Sequence, residues 1–320
     1  MSRAEPAQTL TQTLTVTAEG AGERLDRYLA AALPNLSRTR AQALIARGDV
    51  RVEGRPARAS QLVEAGQTIT IRAPEDGADE AQRPSVAPEP IPVPIVYEDD
   101  ALLVVNKPAG LVVHPAPGHP TGTLVNALAG RLPPATGDGA TGDALRPGIV
   151  HRLDKDTSGL MVVARDEATH AALAAQMKAH RTVKRYLALV EGRMPVPEGT
   201  IEAPIGRDPR QRQRMALVSV EGGGREARTR FRVLREHRGR SLLELELETG
   251  RTHQIRVHLA AVGHPVVGDP IYGRSQAPLP PRQFLHAAHL EFEHPTSHVW
   301  LSFDAPLPPD LAEFLAEWER

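Results

Sequence analysis

The stretch GIVHRLDKDTSGLMVVA, residues 148–164, sets two apolar runs around a polar centre. Gly148-Ile149-Val150 and Leu160–Ala164 have strand character. Between them stand His151, Arg152, Asp154, Lys155, Asp156, Thr157, Ser158 and Gly159, interrupted only by Leu153. A turn between strands needs one or two residues such as Asp or Gly, whose side chain or backbone freedom satisfies the bend. Two acids, two bases, a histidine and two hydroxyls exceed that need. The segment therefore reads as strand–loop–strand, with a loop that carries function.

The rest of the chain narrows which function. With no cysteine, disulfides, thiol catalysis and thiolate metal sites are excluded. Thirteen histidines supply no HExxH and no three-ligand cluster at a familiar spacing; His253 and His258, five apart, fall on different faces of a helix. No metal is expected. DKDTSG has a faint likeness to aspartate phosphotransfer loops, but GxxxxGK[ST] and a Mg²⁺-holding acidic cluster are missing, and the Gly-rich EGGGREAR (221–228) reads as a hairpin loop. Thr157-Ser158-Gly159 lacks the first glycine of GxSxG. What remains is one carboxylate, without metal or cofactor, near several arginines. A carboxylate beside an arginine stays ionised. It is suited to attack at an anomeric carbon or to proton removal beside it. Arginines around it suit a polyanionic sugar substrate, so the residues point to glycosidic-bond chemistry on a nucleic acid.

On either side of the loop, short strands and helices alternate without a regular βαβ beat, which predicts an α+β domain on a mixed, mainly antiparallel sheet. PIVYEDDALLVVNKPAGLVVHP (94–115) gives two strands around an acidic turn. EATHAALAAQMKAH (167–180) gives a helix with Ala168, Ala171, Ala172, Ala175 and Met177 as its apolar positions. RTVKRYLALVEG (181–192) and SLLELELETG (241–250) read as strands. RTHQIRVHLAAVG (251–263) reads as a helix with Ile255, Leu259 and Val262 inward, closed by Gly263.

Charge divides the 320-residue chain more sharply than its net −1 suggests. Residues 23–72 hold nine Arg against five acids, net +4, and residues 205–256 hold thirteen Arg against seven acids, net +6. Between them, residues 73–100 carry −7, and the Pro- and acid-rich stretch 73–94 reads as an extended linker. The expected domains are a flexible tail (1–18), a small module (19–73), the linker (74–90) and a large domain (91–320). In the small module a helix with Leu25, Tyr28, Leu29 and Ala32 on one face ends at Pro34. A second helix begins at Ser37 as N-cap, turns Ala41, Leu44 and Ile45 inward and stops at Gly48. Arg38, Arg40 and Arg47 lie on it, the first two near its start, where free N–H groups also favour phosphate. No run is long enough to span a membrane, and the N-terminus lacks the apolar core of a signal peptide, so a cytoplasmic location is expected.

Four stretches together carry a family resemblance. HRLDKDTSGL (151–160), VVNKPAGLVVHP (104–115), KRYLALV (184–190) and ETGRTHQIRVHLAAVGHPVVGDPIYG (248–273) together resemble the RluA-type pseudouridine synthases. RLDRYLA (24–30) and SRTRAQALIARGDVRVEGRPA (37–57) resemble an S4 RNA-binding domain. With HPAPGHPTGTLVNAL (114–128) and RDPRQRQRMAL (207–217), the likeness is closest to the RluD branch, which acts on large-subunit ribosomal RNA. The resemblance implies the pseudouridine synthase fold and a cofactor-free isomerisation of uridine, with large-subunit rRNA or its assembly precursor as partner and a monomeric enzyme. It makes Asp154 the essential aspartate. Tyr186 becomes the tyrosine that stacks on the target base and assists late proton removal, and Arg256 the basic partner of Asp154. It gives Arg152 the gap left by the flipped uridine, and sets Lys107, His114, Arg251 and His253 along the RNA cleft. A non-catalytic RNA-binding or ribosome-assembly factor keeping this fold is the alternative; a pure binder has no need of Asp154, Tyr186 and Arg256 together.

Overall fold

The computed structural model describes residues 9–33, 36, 38–74, 86–115, 119–132, 148–211, 214–273 and 277–320. They fall into two units, one from the described residues up to Val86 and the other from Ala87 onward.

The smaller unit runs β1 (Thr9–Thr15), α1 (Leu25–Ala32), α2 (Arg38–Arg47), β2 (Val50–Val52), β3 (Arg55–Pro56) and β4 (Thr68–Pro74), with strand order β1-β4-β2-β3. Its core joins Leu25, Tyr28 and Leu29 of α1 to Ala41, Leu44 and Ile45 of α2 and to Val50, Val52, Ile69 and Ile71 of the sheet. For the helices those are the inward positions that the spacing predicts, except Ala32, which is exposed at the end of α1. Between the helices the buried Asp26 carboxylate accepts hydrogen bonds from Arg24 Nε at 3.0 Å and Gln42 Nε2 at 2.6 Å. The expected flexible tail over 1–18 is corrected by β1, which pairs antiparallel with β4 from Thr9 opposite Pro74 to Thr15 opposite Thr68. The segment TLTQTLT alternates with period two and is rich in β-branched threonine, so it suits a sheet edge although it holds little apolar surface. Pro34 and the Ser37 cap lie outside the described residues.

The larger unit runs β5 (Ile95–Glu98), β6 (Leu102–Lys107), α3 (Leu124–Leu128), β7 (Ser158–Ala164), α4 (Glu167–Lys178), β8 (Val183–Glu191), β9 (Glu198–Glu202), β10 (Ile205–Arg207), β11 (Met215–Leu217), β12 (Arg228–His237), β13 (Arg240–Leu247), α5 (Gln254–Ala261), β14 (Leu285–Glu293), β15 (Trp300–Asp304) and α6 (Pro309–Glu319). Nine strands form one sheet in the order β5-β6-β7-β14-β8-β13-β12-β9, with β15 beside β14, while β10 and β11 make a separate hairpin. All neighbours are antiparallel except β7 and β14. The sheet is mixed and mainly antiparallel, as the α+β reading expects. Every residue of β7 is buried, and Leu160 and Val162 pack with Leu102, Val104, Leu173 and Phe292. Among the described residues no helix is long and apolar enough to cross a membrane.

Three local expectations change. The run Gly148–Val150 makes only an isolated bridge, Ile149 to Val163, rather than a strand. In α4 the inward face is Thr169, Leu173 and Gln176, not the alanines. Gln176 is satisfied there by the Glu293 backbone, its Nε2 donating to the carbonyl at 2.8 Å and its Oε1 accepting from the N–H at 3.1 Å. Val262 lies just past the end of α5 and is exposed, whereas Ile255 and Leu259 are buried. The linker also ends earlier than expected. Asn126 Nδ2 donates to the Ala87 carbonyl, and the Glu89 N–H donates to the Asn126 carbonyl, which fastens residues 87–89 to the larger unit.

Each unit thus has its own core. A chain starting at Ala87 is expected to fold alone and melt in one cooperative transition within about 5 °C of the full-length protein's larger-unit transition. Calorimetry checks this; loss of the transition would mean that the larger core needs the smaller unit.

Candidate active site

The loop of residues 151–157 reaches the head of β7 and is fixed from below by buried cations. Lys107, fully buried at the end of β6, donates from Nζ to the carbonyls of Pro108 (2.8 Å), Leu111 (2.9 Å) and Lys155 (3.0 Å). Three acceptors match the three protons of an ammonium. Burial pushes this ammonium down to about 7, against the pull of Asp156. Arg282 donates through Nη1 to the Asp156 carbonyl at 3.0 Å and through Nη2 to Ser158 Oγ at 3.1 Å. It is itself anchored on Asp310 at the start of α6, at 2.7 and 3.2 Å. Thr157 Oγ1 accepts from Gln283 Nε2 at 2.8 Å. Gly159 has φ +120, and a Cβ there would overlap the Ala287 carbonyl, so no other residue fits this crossing of β7 and β14.

With the backbone so held, Asp154 turns its carboxylate to α5, where Oδ2 accepts from Arg256 Nη1 at 2.9 Å. The same guanidinium donates from Nε and Nη2 to the two oxygens of Asp269, at 2.7 and 2.9 Å. Arg256 is almost wholly buried and Asp269 has no exposed side-chain surface, while Asp154 keeps 16% of its own. Burial disfavours the guanidinium charge, but the hydrogen bonds and charges of Asp269 and Asp154 outweigh it and raise the Arg256 pKa further. Burial would likewise raise the Asp269 carboxyl. Arg256 and the N–H groups of Tyr272 and Ile271 bring it below its ordinary value instead. The partner that the apolar pattern of α5 demands for Arg256 is therefore double.

Tyr186 lies in mid-β8, opposite Leu245 and Ala287, and is 6% exposed. Burial and then the nearby Asp154 charge push its hydroxyl pKa up, so it stays protonated. His253 caps α5 in the left-handed conformation, φ +56, which a non-glycine residue adopts at a cost of about 1 kcal/mol. Its Nε2 is 4.0 Å from Asp154 Oδ2, and its Nδ1 is 3.0 Å from the Tyr272 hydroxyl. Burial lowers the His253 pKa, Asp154 opposing and Arg256 adding to the effect.

Among the expected site residues, Asp154, Arg256, Tyr186 and His253 come together. Arg152 is exposed on the same loop. Arg251 is half-buried, with Nε donating to the Glu226 carbonyl at 3.0 Å. Two of the residues expected along the RNA cleft are buried. Lys107 spends its ammonium on loop carbonyls, and His114 is buried at 8% exposure. In the smaller unit Arg47 is exposed and paired with Asp49 at 2.9 Å; the side chains of Arg38 and Arg40 lie outside the described residues. Sequence reasoning missed Asp269, Tyr272 and Arg282. The first two stand in the quoted GDPIYG, but nothing in their local pattern marks a partner for Arg256. Among the described residues no three His, Asp or Glu side chains group to hold a metal ion.

Residues 101–261, which include Asp154, Tyr186 and Arg256, match the family model for RNA pseudouridylate synthase, and residues 23–69 match the S4 domain. An uncharacterized RNA pseudouridine synthase of Chloroflexus aurantiacus is 54% identical over 299 residues, covering 90% of this chain and 88% of its own. The ribosomal large subunit pseudouridine synthase D of Zymomonas mobilis is 45% identical over 318 residues, covering 94% and 95%. Among solved structures, human RNA pseudouridylate synthase domain containing 1 superposes with a TM-score of 0.54 at 32% identity, covering 69% of this chain and 86% of that one.

The Lys107 site yields a stability prediction. Lys107→Met leaves three loop carbonyls without this donor and is expected to lower stability by about 2–4 kcal/mol at pH 7. The native ammonium sits below its ordinary 10.5, so the folded state binds fewer protons than the unfolded chain between about pH 7 and 10. Wild-type stability therefore gains on the variant as pH rises through that window, which urea denaturation at pH 7 and pH 9 measures.

Proposed function

The chain belongs to the RNA pseudouridylate synthase family, and from that premise we propose that it isomerises uridines of large-subunit ribosomal RNA, with Asp154 opening the glycosidic bond. The observation that carries the assignment of Asp154 is its pairing with Arg256, which Asp269 holds from the far side, next to the buried ring of Tyr186. The substrate class is drawn from relatives named ribosomal large subunit pseudouridine synthase D, at 45% and 46% identity.

In the reaction the bond from uracil N1 to ribose C1′ breaks, the base turns, C5 bonds to C1′, and the proton on C5 leaves while N1 gains one. Atoms balance without an oxidant, reductant or cofactor. Asp154 serves by either of two routes: its carboxylate bonds C1′ and is later displaced, or it takes the C2′ proton and returns it. Arg256 holds that carboxylate in one orientation for both, which is the positional part of catalysis. Tyr186 offers its ring to the flipped base; its raised hydroxyl pKa makes it a poor base at C5. Arg152, exposed beside Asp154, fills the space the uridine vacates. The S4 unit supplies additional RNA affinity through tethering. The enzyme works as a monomer in the cytoplasm on ribosomal RNA or its assembly precursor. A non-catalytic RNA binder would gain nothing from a buried guanidinium shared by two aspartates beside a buried tyrosine.

Asp154→Asn is expected to slow pseudouridine formation by roughly 10³-fold or more while RNA affinity stays within a few-fold. Tritium release from [5-³H]uridine-labelled large-subunit RNA reports the first and filter binding the second. Isomerisation at the wild-type rate would remove Asp154 from the reaction. Pseudouridine mapping by carbodiimide-stop sequencing in a deletion strain tests the substrate: unchanged large-subunit rRNA refutes it.

A further inference from the structure

The hairpin β10–β11 packs beside the reaction centre. Ile205 and Met215 of the hairpin pack in a small apolar cluster with Val257 of α5 and with Tyr272. The Tyr272 hydroxyl accepts a hydrogen bond from the Met215 N–H at 2.9 Å and lies 3.0 Å from His253 Nδ1. Its ring sits between two guanidiniums, Arg214 of the hairpin at 5.0 Å and Arg256 of the site at 5.2 Å. Its N–H donates to the Asp269 carboxylate at 3.0 Å. One residue thus contacts the hairpin, the catalytic arginine, its second aspartate and the histidine facing Asp154. Arg210, in the segment joining the two strands, is exposed; its N–H donates to Asp208 Oδ1 at 2.8 Å, and its charge lies near that carboxylate.

A hydroxyl that already accepts from a backbone N–H has its own proton free to donate. Given to His253 Nδ1, that proton leaves the neutral ring protonated on Nε2, the nitrogen 4.0 Å from Asp154. That distance is too long for a hydrogen bond. His253 is also the residue held in the left-handed conformation, where stored backbone strain marks a position that surrounding contacts over-determine.

We propose that Tyr272 is a positioning residue that transmits the seating of the arginine-bearing β10–β11 hairpin on RNA phosphates to His253 and Asp154, so that the reaction centre closes only when the hairpin is engaged. This rests on the pseudouridine synthase reading and deepens it. RNA bound without the hairpin in place then leaves the His253–Asp154 gap open, which gives discrimination between correctly and wrongly seated uridines.

The test uses the full-length protein, its Tyr272→Phe and Arg210→Gln variants and the double variant, on [5-³H]uridine-labelled large-subunit RNA. Tyr272→Phe keeps the ring between the guanidiniums and removes only the hydroxyl. Its single-turnover rate constant is expected to fall about tenfold with RNA Kd within about threefold of wild type. Arg210→Gln weakens binding in both backgrounds by the same factor, but slows the bound reaction only where the tyrosine hydroxyl is present. Nitrogen-15 chemical shifts of His253 give a readout free of RNA: the Nε2–H tautomer in wild type, and a mixture in Tyr272→Phe. A wild-type rate in Tyr272→Phe, equal slowing by Arg210→Gln in both backgrounds, or an Nδ1–H tautomer in wild type each overturns the proposal. A wild type that releases no tritium overturns the functional reading and this inference with it; an active wild type with an unaffected Tyr272→Phe overturns this inference alone.

Discussion

Arg256 is the constraint on which the site depends. Burying a lone guanidinium costs several kcal/mol, and attraction to a partner offsets that only when geometry is good and the remaining donors are satisfied. Here Nε and Nη2 grip both oxygens of Asp269, and Nη1 goes to Asp154. Asp269 is in turn fixed by the N–H groups of Ile271 and Tyr272. Asp154, alone of the trio, keeps a solvent-facing edge. The ion pair is therefore lopsided by design of the fold: one carboxylate is spent on holding the cation, and the other is held by it and left for chemistry.

Such an arrangement tolerates little play in the loop that carries Asp154. The polar residues of that loop divide their work by direction. His151 turns inward, its Nε2 accepting from the Val162 N–H at 3.0 Å. Burial and then the charge of Lys184 drive its pKa down to about 3, so it stays neutral. Thr157 and Ser158 bond to Gln283, His286 and Arg282. Arg152 faces solvent, and Asp154 keeps part of its carboxylate exposed. These bonds fix the backbone that carries Asp154 and so its orientation toward Arg256.

How much of this the sequence discloses follows from the range of each interaction. Periodicity is local, so the inward faces of α1 (Ala32 apart) and α2 and the buried run of β7 are legible from spacing. β1 was not, because its threonines carry strand propensity without much apolar surface, and its partner β4 lies some fifty residues away. The face of α4 was misassigned because alanine fits either side of a helix, and the buried Gln176 is intelligible only with Glu293 beside it. Asp154, Tyr186 and Arg256 came from the family resemblance, and an arginine within an apolar helix already demanded a partner. That the partner is shared with Asp269 could not be read, since Asp269 looks like any turn aspartate.

The hardest distinction is between cations that hold backbone and cations that meet phosphate. Lys107 and Arg152 have the same formal charge and flank the same loop. Yet Lys107 reaches a carbonyl 48 residues on and is fully buried, while Arg152 faces solvent. Composition counts both toward a basic surface. Topology separates them, because a loop that leaves a buried strand turns backbone carbonyls beneath it, and an ammonium with three protons satisfies three of them. A basic residue at the end of an apolar strand, just before Pro-Ala-Gly, is therefore better read as a fastener than as an RNA contact. Side chains such as Arg152 and Arg210 are instead left exposed by the fold.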